Sequence, residues 1–227
     1  MPSFESMGIQ ESGGGSKFEE LPFGTYVAYG NLLVDLGTQK KEWQGETWDQ
    51  RQLWFQAIVP DERTTIDGED LPRSISTFLT FSLGEKGNLW KHVGSWAGGK
   101  LSYEQFRSFD FNRLLGKWGM FTIGPNQKNK PKLTNIAPLM KGISEGTVET
   151  EPNAFWFSEY QGGELPSFIP KGIANIVMRS PEYAEKNQGG TLGDDADIAM
   201  VANAVGGTVI AEDIPCLLYT SPSPRDS

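Results

Sequence analysis

The order of hydrophobic periods along residues 24–142 is the strongest constraint on the fold. Strand-like runs rich in β-branched and aromatic residues occur first, at residues 24–37, 51–60 and 73–83. A stretch with helical spacing follows, and residues 117–142 then contain two more apolar-rich strands joined by a polar loop. Periods of two and 3.6 residues are typical of strands and helices respectively. The sequence therefore predicts three strands, a helical segment and two strands, with polar loops at residues 39–50 and 61–72 between the first three strands.

The second strand has two distinct faces in its sequence pattern. Leu53 and Phe55 alternate with Gln52 and Trp54. Successive side chains of a strand point to opposite sides of a sheet. Trp54 is therefore predicted to lie on the face turned away from the core.

The helical segment carries Leu89, Val93 and Trp96 at helical spacing, and two glycines end it at Gly98–Gly99. His92 lies beside Lys91 on this helix and is expected to be solvated.

Two local signals refine these elements. Gly30 lies in the middle of the first strand and predicts a bulge or bend, because glycine weakens regular strand pairing. Ser102 and Gln105 have capping-box spacing, which predicts the start of a short helix.

This order of elements is the one found in the OB-fold, a five-stranded Greek-key barrel with a helix between strands three and four. The chain is therefore predicted to be mainly β. Its predicted regions are a flexible N-terminal arm (1–20), an OB-fold domain (21–142), an acidic linker with an aromatic cluster and a short helix (143–190), and a flexible acidic C-terminal tail (191–215).

Other features of the sequence limit the classes of protein to which the chain can belong. A single cysteine, Cys216, excludes an internal disulfide framework. No run approaches the ~18 apolar residues of a membrane helix, and no export signal is recognisable, so a cytoplasmic protein is expected. The final residues, "CLLYTSPSPRDS" (216–227), resemble a translated sequencing adapter and are expected to be an artefact.

Charge is segregated along the chain. The net charge of the whole sequence is -9, yet residues 21–142 hold 15 Lys/Arg and 12 Asp/Glu. The remaining residues hold 5 Lys/Arg and 17 Asp/Glu. A mildly basic barrel with strongly acidic appendages is therefore expected.

Lysines and tryptophans coincide with the loops that flank the ligand face of an OB-fold. Phosphates require Lys or Arg, and every base offers a π-face to an aromatic ring. The alternative is that the lysines are simply solvated and the tryptophans pack in the core. The predicted stacking residues are Trp43, Trp48 and Trp54, and the predicted phosphate contacts are Lys40, Lys41, Arg51, Lys128, Lys130 and Lys132.

Catalysis finds little support in the sequence. No His/Cys set has the spacing of a zinc site, and the acidic clusters lack the spacing of a calcium loop. The segment "GIQESGGGSK" lacks the order of a phosphate-binding loop. No enzyme, catalytic residue, cofactor or metal is predicted.

Several segments together resemble a bacteriophage protein family identified as single-stranded DNA-binding. They are "LPFGTYVAYGNLLVDLGTQ", "LWFQAIVPDE", "TFSLGEKGNLWKHVGSWAGG", "FDFNRLLGK" and "TNIAPLMKG". The resemblance covers roughly residues 21–142. It implies an OB-fold protein that coats single-stranded DNA during phage replication and recombination, in the cytoplasm of the host cell.

The segment "AEDIP" resembles the acidic tip of bacterial and phage single-strand binders. The resemblance implies that Glu212, Asp213, Ile214 and Pro215 recruit replication or recombination enzymes. Homo-oligomer formation is compatible with this interpretation. Two alternatives stay open: a β-rich carbohydrate-binding module, because tryptophans also stack on sugar rings, and a structural or assembly protein of the virion.

Overall fold

The computed structural model describes residues 21–187, except 67, 83, 85, 86 and 100, together with a short strand at 208–210. Within these residues the protein is mainly β with a few short helices. The strands are β1 (Gly24–Trp43), β2 (Glu46–Ile66), β3 (Glu69–Thr80), β4 (Trp118–Pro125), β5 (Pro131–Ala137), β6 (Asn153–Phe155) and β7 (Thr208–Ile210). The helices are α1 (Asn88–Trp96), α2 (Tyr103–Arg107), α3 (Lys171–Met178) and α4 (Pro181–Lys186).

The sheet has the order β5-β4-β1-β2-β3-β7. Neighbours from β5 to β3 are antiparallel, whereas β7 runs parallel to β3 and β6 runs parallel to β1. β5 contacts both β3 and β7, so the two ends of the sheet approach each other. α1 and α2 lie in the connection between β3 and β4, as the hydrophobic periods predict.

The predicted irregularity at Gly30 is confirmed. The β1–β2 register shifts between Gly30 and Leu32. The carbonyl of Gly30 accepts a hydrogen bond of 2.8 Å from the Gly116 N–H. A Cβ atom at Gly30 would lie 2.2 Å from the Leu114 carbonyl oxygen, so only glycine fits. At this point β1 ends its pairing with β4 and begins its pairing with β6.

Two segments predicted as loops are arms of β-hairpins. Residues 39–43 and 46–50 continue the β1–β2 ladder, and residues 63–66 and 69–72 form the end of the β2–β3 ladder. Gln44 and Gly45 have positive φ values of 52° and 84°, as the two central residues of a type I′ turn require. The loop prediction is wrong because both arms are largely polar on both faces, which removes the alternation that marks a strand.

The inner core fills the space between the curled sheet and the two N-terminal helices. Leu53 and Phe55 of β2 lie there, as their alternation predicts. Leu89, Val93 and Trp96 are buried in the same core, so the predicted helix face is confirmed. The predicted capping box of α2 is also present, since Ser102 and Gln105 exchange side chain–backbone hydrogen bonds of 2.9 and 3.2 Å.

A second core covers the other face of the sheet. The residues of this outer core that come from the sheet are Leu32, Val34, Leu36, Trp54 and Phe78, and those that cover them include Phe155, Phe157, Tyr160, Ile169, Ile173, Ile176 and Val177. Trp54 does point away from the inner core, but it is 0% exposed. The prediction that it faces solvent is wrong, because a later segment of the chain covers that face.

The region predicted as a linker contributes that covering segment. The predicted short helix is two helices, α3 and α4, separated at Ser180, which caps α4, and Pro181 at its first turn. The residue before a proline disfavours helical geometry, which accounts for the break. Residues 153–186 are therefore packed on the sheet rather than forming a separate linker.

None of the helices in the described residues is long and apolar enough to cross a membrane. The predicted arm (1–20), most of the predicted tail, its tip residues Glu212, Asp213, Ile214 and Pro215, and the adapter-like segment (216–227) lie outside the described residues.

Candidate nucleic-acid interface

The turn between β4 and β5 presents two lysines to solvent. The Asn126 side-chain oxygen accepts hydrogen bonds from the backbone N–H groups of Lys128 and Lys130, at 2.8 and 2.9 Å. The Asn126 N–H also donates to the Lys130 carbonyl at 2.8 Å, and Asn129 adopts a left-handed conformation with φ 57°. Asparagine favours this kind of local bonding in turns. The side chains of Lys128 and Lys130 are exposed at the tip.

A cleft of about 430 Å³ lies between α1 and this hairpin. We call it the α1–β5 cleft. Asparagine, glutamine, threonine and lysine dominate its wall, and no Asp or Glu is among the described residues that line it. The lining residues are Asn88, Lys91, His92, Pro125, Asn126, Gln127, Lys132, Leu133, Thr134 and Asn135.

Lysines on α1 and on the β4–β5 hairpin bring positive charge to this side of the molecule. Lys91, Lys128, Lys130 and Lys132 have no carboxylate within ion-pair distance among the described residues. Lys91 is exposed on α1, whereas Lys132 is half-buried on β5. Two of these lysines, Lys91 and Lys132, line the polar cleft, and Lys128 and Lys130 lie on the turn that contributes Asn126 and Gln127 to its lining.

His92 is buried in the wall of the cleft, not solvated as its sequence context predicts. Burial lowers the pKa of His92 to about 4, and the positive charges of Lys132 and Lys91 act in the same direction. The imidazole is therefore neutral near pH 7. A neutral ring offers one N–H donor and one acceptor nitrogen.

The β1–β2 hairpin supports the predicted phosphate contacts less well than the β4–β5 hairpin does. Lys40 is exposed but lies directly opposite Asp49, and Lys41 lies opposite Trp48, which is half-buried. Residues directly opposite each other in a ladder are close enough to interact. Trp43 pairs with Glu46 at the end of the ladder, and its side chain lies outside the described part of the structure.

Arg51 is committed to an internal ion pair. Its guanidinium donates to both carboxylate oxygens of Asp35, at 3.3 and 2.5 Å. Asp35 is 2% exposed, so the positive charge of Arg51 neutralises a buried carboxylate. The hydrogen bond to Asp35 raises the pKa of Arg51. The structure thus gives Arg51 an ion-pair role, while its half-exposed side chain leaves the phosphate contact a prediction.

Trp54 is likewise unavailable for stacking, because it is fully buried in the outer core. Its indole Nε1 has no hydrogen-bond partner in the structure. The predicted aromatic platform of three tryptophans therefore keeps Trp48 as its only member with a described, partly exposed side chain.

The structure does not bring all the predicted residues together. The β1–β2 turn follows Trp43 at one end of β1, whereas the β4–β5 turn follows Pro125, beyond the pair Gly24–Ile123 at the other end. Of the predicted lysines on the β4–β5 hairpin, Lys132 lies with Lys91 and His92 of α1 in the lining of the cleft. Sequence reasoning missed Lys91 and His92. A signal for this existed, since Asn88, Lys91 and His92 share one helix face at spacings of three and four residues.

No group of three or more His, Cys, Asp or Glu in the described residues could hold a metal ion. Comparison with protein-family models, curated proteins and solved structures finds no match for the chain.

Proposed function

We propose that the protein binds single-stranded DNA through the α1–β5 cleft and the β4–β5 turn, and that its sheet is an OB-fold barrel. The strand order, the helices between β3 and β4, and the approach of β5 to β3 support the barrel. The observation that carries the function is a polar cleft lined by Lys91 and Lys132, with no Asp or Glu among its described lining residues, beside a turn on which Lys128 and Lys130 are exposed.

A backbone of phosphates is the anion that suits these lysines. Single-strand binders track phosphates with a positively charged groove and contact bases in a sequence-tolerant way. The amides of the cleft can bond to base edges, whereas Trp48 lies at the opposite end of β1 and does not belong to this interface. Coating a strand in this way keeps it unpaired for phage replication or recombination.

The test is a titration of labelled dT oligomers followed by fluorescence anisotropy at several salt concentrations. If four lysines each neutralise a phosphate, log K falls against log salt with a slope of about −2.8. Lys130→Ala is expected to reduce the slope by about 0.7, since one contact is lost. Lys171→Ala removes an exposed lysine at the start of α3 and serves as the matched control.

Duplex DNA of the same length and a panel of neutral oligosaccharides complete the experiment. Equal affinity for duplex and single strand argues against the proposal. Salt-insensitive binding of a sugar supports the carbohydrate-binding alternative instead, because a neutral ligand releases no counterions.

The acidic tip extends this proposal to protein partners. Glu212, Asp213, Ile214 and Pro215 are proposed to recruit replication or recombination enzymes. Removing residues 211–215 while keeping β7 is expected to leave folding unchanged and to weaken capture of such enzymes, as measured by pull-down against the unaltered chain.

A further inference from the structure

The α1–β5 cleft combines two cationic side chains with one buried imidazole. Lys91 reaches the site from α1 and Lys132 reaches it from β5, while His92 lies in the wall between these elements. The other described lining residues carry no charge. Two positive charges thus act on a neutral ring, with no described lining carboxylate to offset them.

We propose that the cleft is a nucleotide subsite in which one backbone phosphate of the bound strand lies between Lys91 and Lys132, beside His92. This inference rests on the proposed function and adds the residues that hold the strand. A volume of about 430 Å³ falls within the range of ligand pockets, ~300–1,000 Å³, and accommodates one nucleotide. The amide of Asn135, an exposed lining residue, is available to its base or sugar.

A phosphate in this position reverses the electrostatic environment of His92. A nearby negative charge favours the protonated imidazole, whereas the two lysines disfavour it. The pKa of His92 therefore rises from about 4 when a phosphate binds. Because the bound form holds its proton more tightly, affinity increases as the pH falls through the raised pKa, and the increase ends below about pH 4, where the free form is also protonated.

His92 is the only histidine of the chain, so its imidazole Hε1 gives one NMR signal that no other histidine overlaps. The experiment follows that signal against pH with the full chain alone, with a dT oligomer and with inorganic phosphate. The oligomer is expected to move the pKa of His92 toward its ordinary value of about 6.5. A second readout is oligomer affinity between pH 7 and 5, which is expected to rise for the unaltered chain and to stay flat for His92→Gln.

Lys132→Ala and Lys91→Ala test separately whether each lysine acts on His92 and on the bound phosphate. Because Lys91 is exposed, its variant leaves the core unchanged. Each is expected to raise the pKa of His92 in the free protein and to reduce the change caused by the oligomer. Lys171→Ala is the matched control.

The possible outcomes separate this inference from the proposed function. An oligomer that binds without moving the His92 signal overturns the subsite and leaves DNA binding intact. An oligomer that does not bind at all overturns both. A signal that responds to inorganic phosphate but not to the oligomer also overturns the subsite, since the cleft then takes a free anion rather than a strand.

Discussion

At the scale of single residues, Trp54 shows how a tryptophan on the outward face of a strand becomes core. Trp54→Ala is expected to lower the free energy of unfolding by about 3–5 kcal/mol, because it leaves a large cavity in the outer core. Trp54→Phe is expected to cost less, since it keeps most of the ring and removes the unpartnered Nε1. Urea denaturation measures both. Full stability of Trp54→Ala combined with loss of oligomer binding would restore the stacking role.

The pair formed by Arg51 and Asp35 makes a second prediction at this scale. Arg51→Met leaves the buried Asp35 carboxylate without its ion pair and is expected to cost about 3–5 kcal/mol of stability. The double variant Arg51→Met/Asp35→Asn is expected to recover much of that loss, because no uncompensated charge remains. A double-mutant cycle by chemical denaturation gives the coupling energy. Additive effects of the two changes would contradict the internal role of Arg51.

At the scale of elements, the bulge at Gly30 is held by backbone contacts to the β4 connection. Gly30→Ala is expected to destabilise the protein by about 1–3 kcal/mol or more, because the added Cβ would overlap the Leu114 carbonyl oxygen. Gly99→Ala is the matched control, since a Cβ there meets no atom within 4 Å. Thermal unfolding of the two variants compares them. Equal melting temperatures would show that β1 can rearrange at Gly30.

The attachment of α4 to β1 is expected to depend on pH through Glu182. Its carboxylate accepts hydrogen bonds from the Thr38 N–H and hydroxyl, at 2.9 and 2.7 Å. Burial alone would raise the pKa of Glu182, but these bonds and Arg51 outweigh it and hold the pKa below its ordinary value. A carboxyl with a lowered folded-state pKa stabilises the fold above its unfolded pKa, and that contribution is lost as the pH falls.

Glu182→Gln tests this attachment. At pH 7 this variant is expected to be less stable than the unaltered chain. The difference in stability is expected to shrink as the pH falls below about 4.3, the ordinary pKa of a glutamate. Denaturation at several pH values follows the difference. Glu185→Gln, an exposed position on the same helix, is the control. A pH-independent difference would assign the effect to packing rather than to charge.

Sequence patterns predicted most of the elements that have a hydrophobic period or a local signal. The order of strands and helices along residues 24–142, the α1 face, the capping box and the bulge at Gly30 all belong to this group. The hairpin arms were missed because they are largely solvated on both sides. Lys128, Lys130 and Lys132 were predicted as phosphate contacts because they lie close together in one basic segment. Lys91 and His92 come near this segment only because α1 packs on the β4–β5 hairpin. Nothing local in a sequence reports which distant element will cover a side chain.

At the scale of the whole molecule, β1 and β2 separate the inner and outer cores and belong to both. The alternation of side chains along these strands predicts that the sheet has two faces. It does not indicate which segment of the chain packs on the second face. That covering comes from about 100 residues farther along the chain, in a region whose acidic composition suggested a linker. The predicted boundary at residue 142 therefore divides one packed unit, because Leu32, Val34, Leu36, Trp54 and Phe78 have their partners beyond it.

A chain that ends at Gly142 tests this unity. It would expose the sheet side of the outer core, so we expect aggregation or a state without cooperative unfolding, detected by near-UV circular dichroism and urea titration. A chain that ends at Asn187 keeps both cores and loses only β7 among the described elements, so it is expected to unfold cooperatively. The urea m-value scales with the surface exposed on unfolding. If the shorter chain unfolds cooperatively with only the smaller m-value that its length predicts, residues 153–186 are a separable layer. If it does not, the α1–β5 cleft depends on a sheet that folds only when its second face is covered.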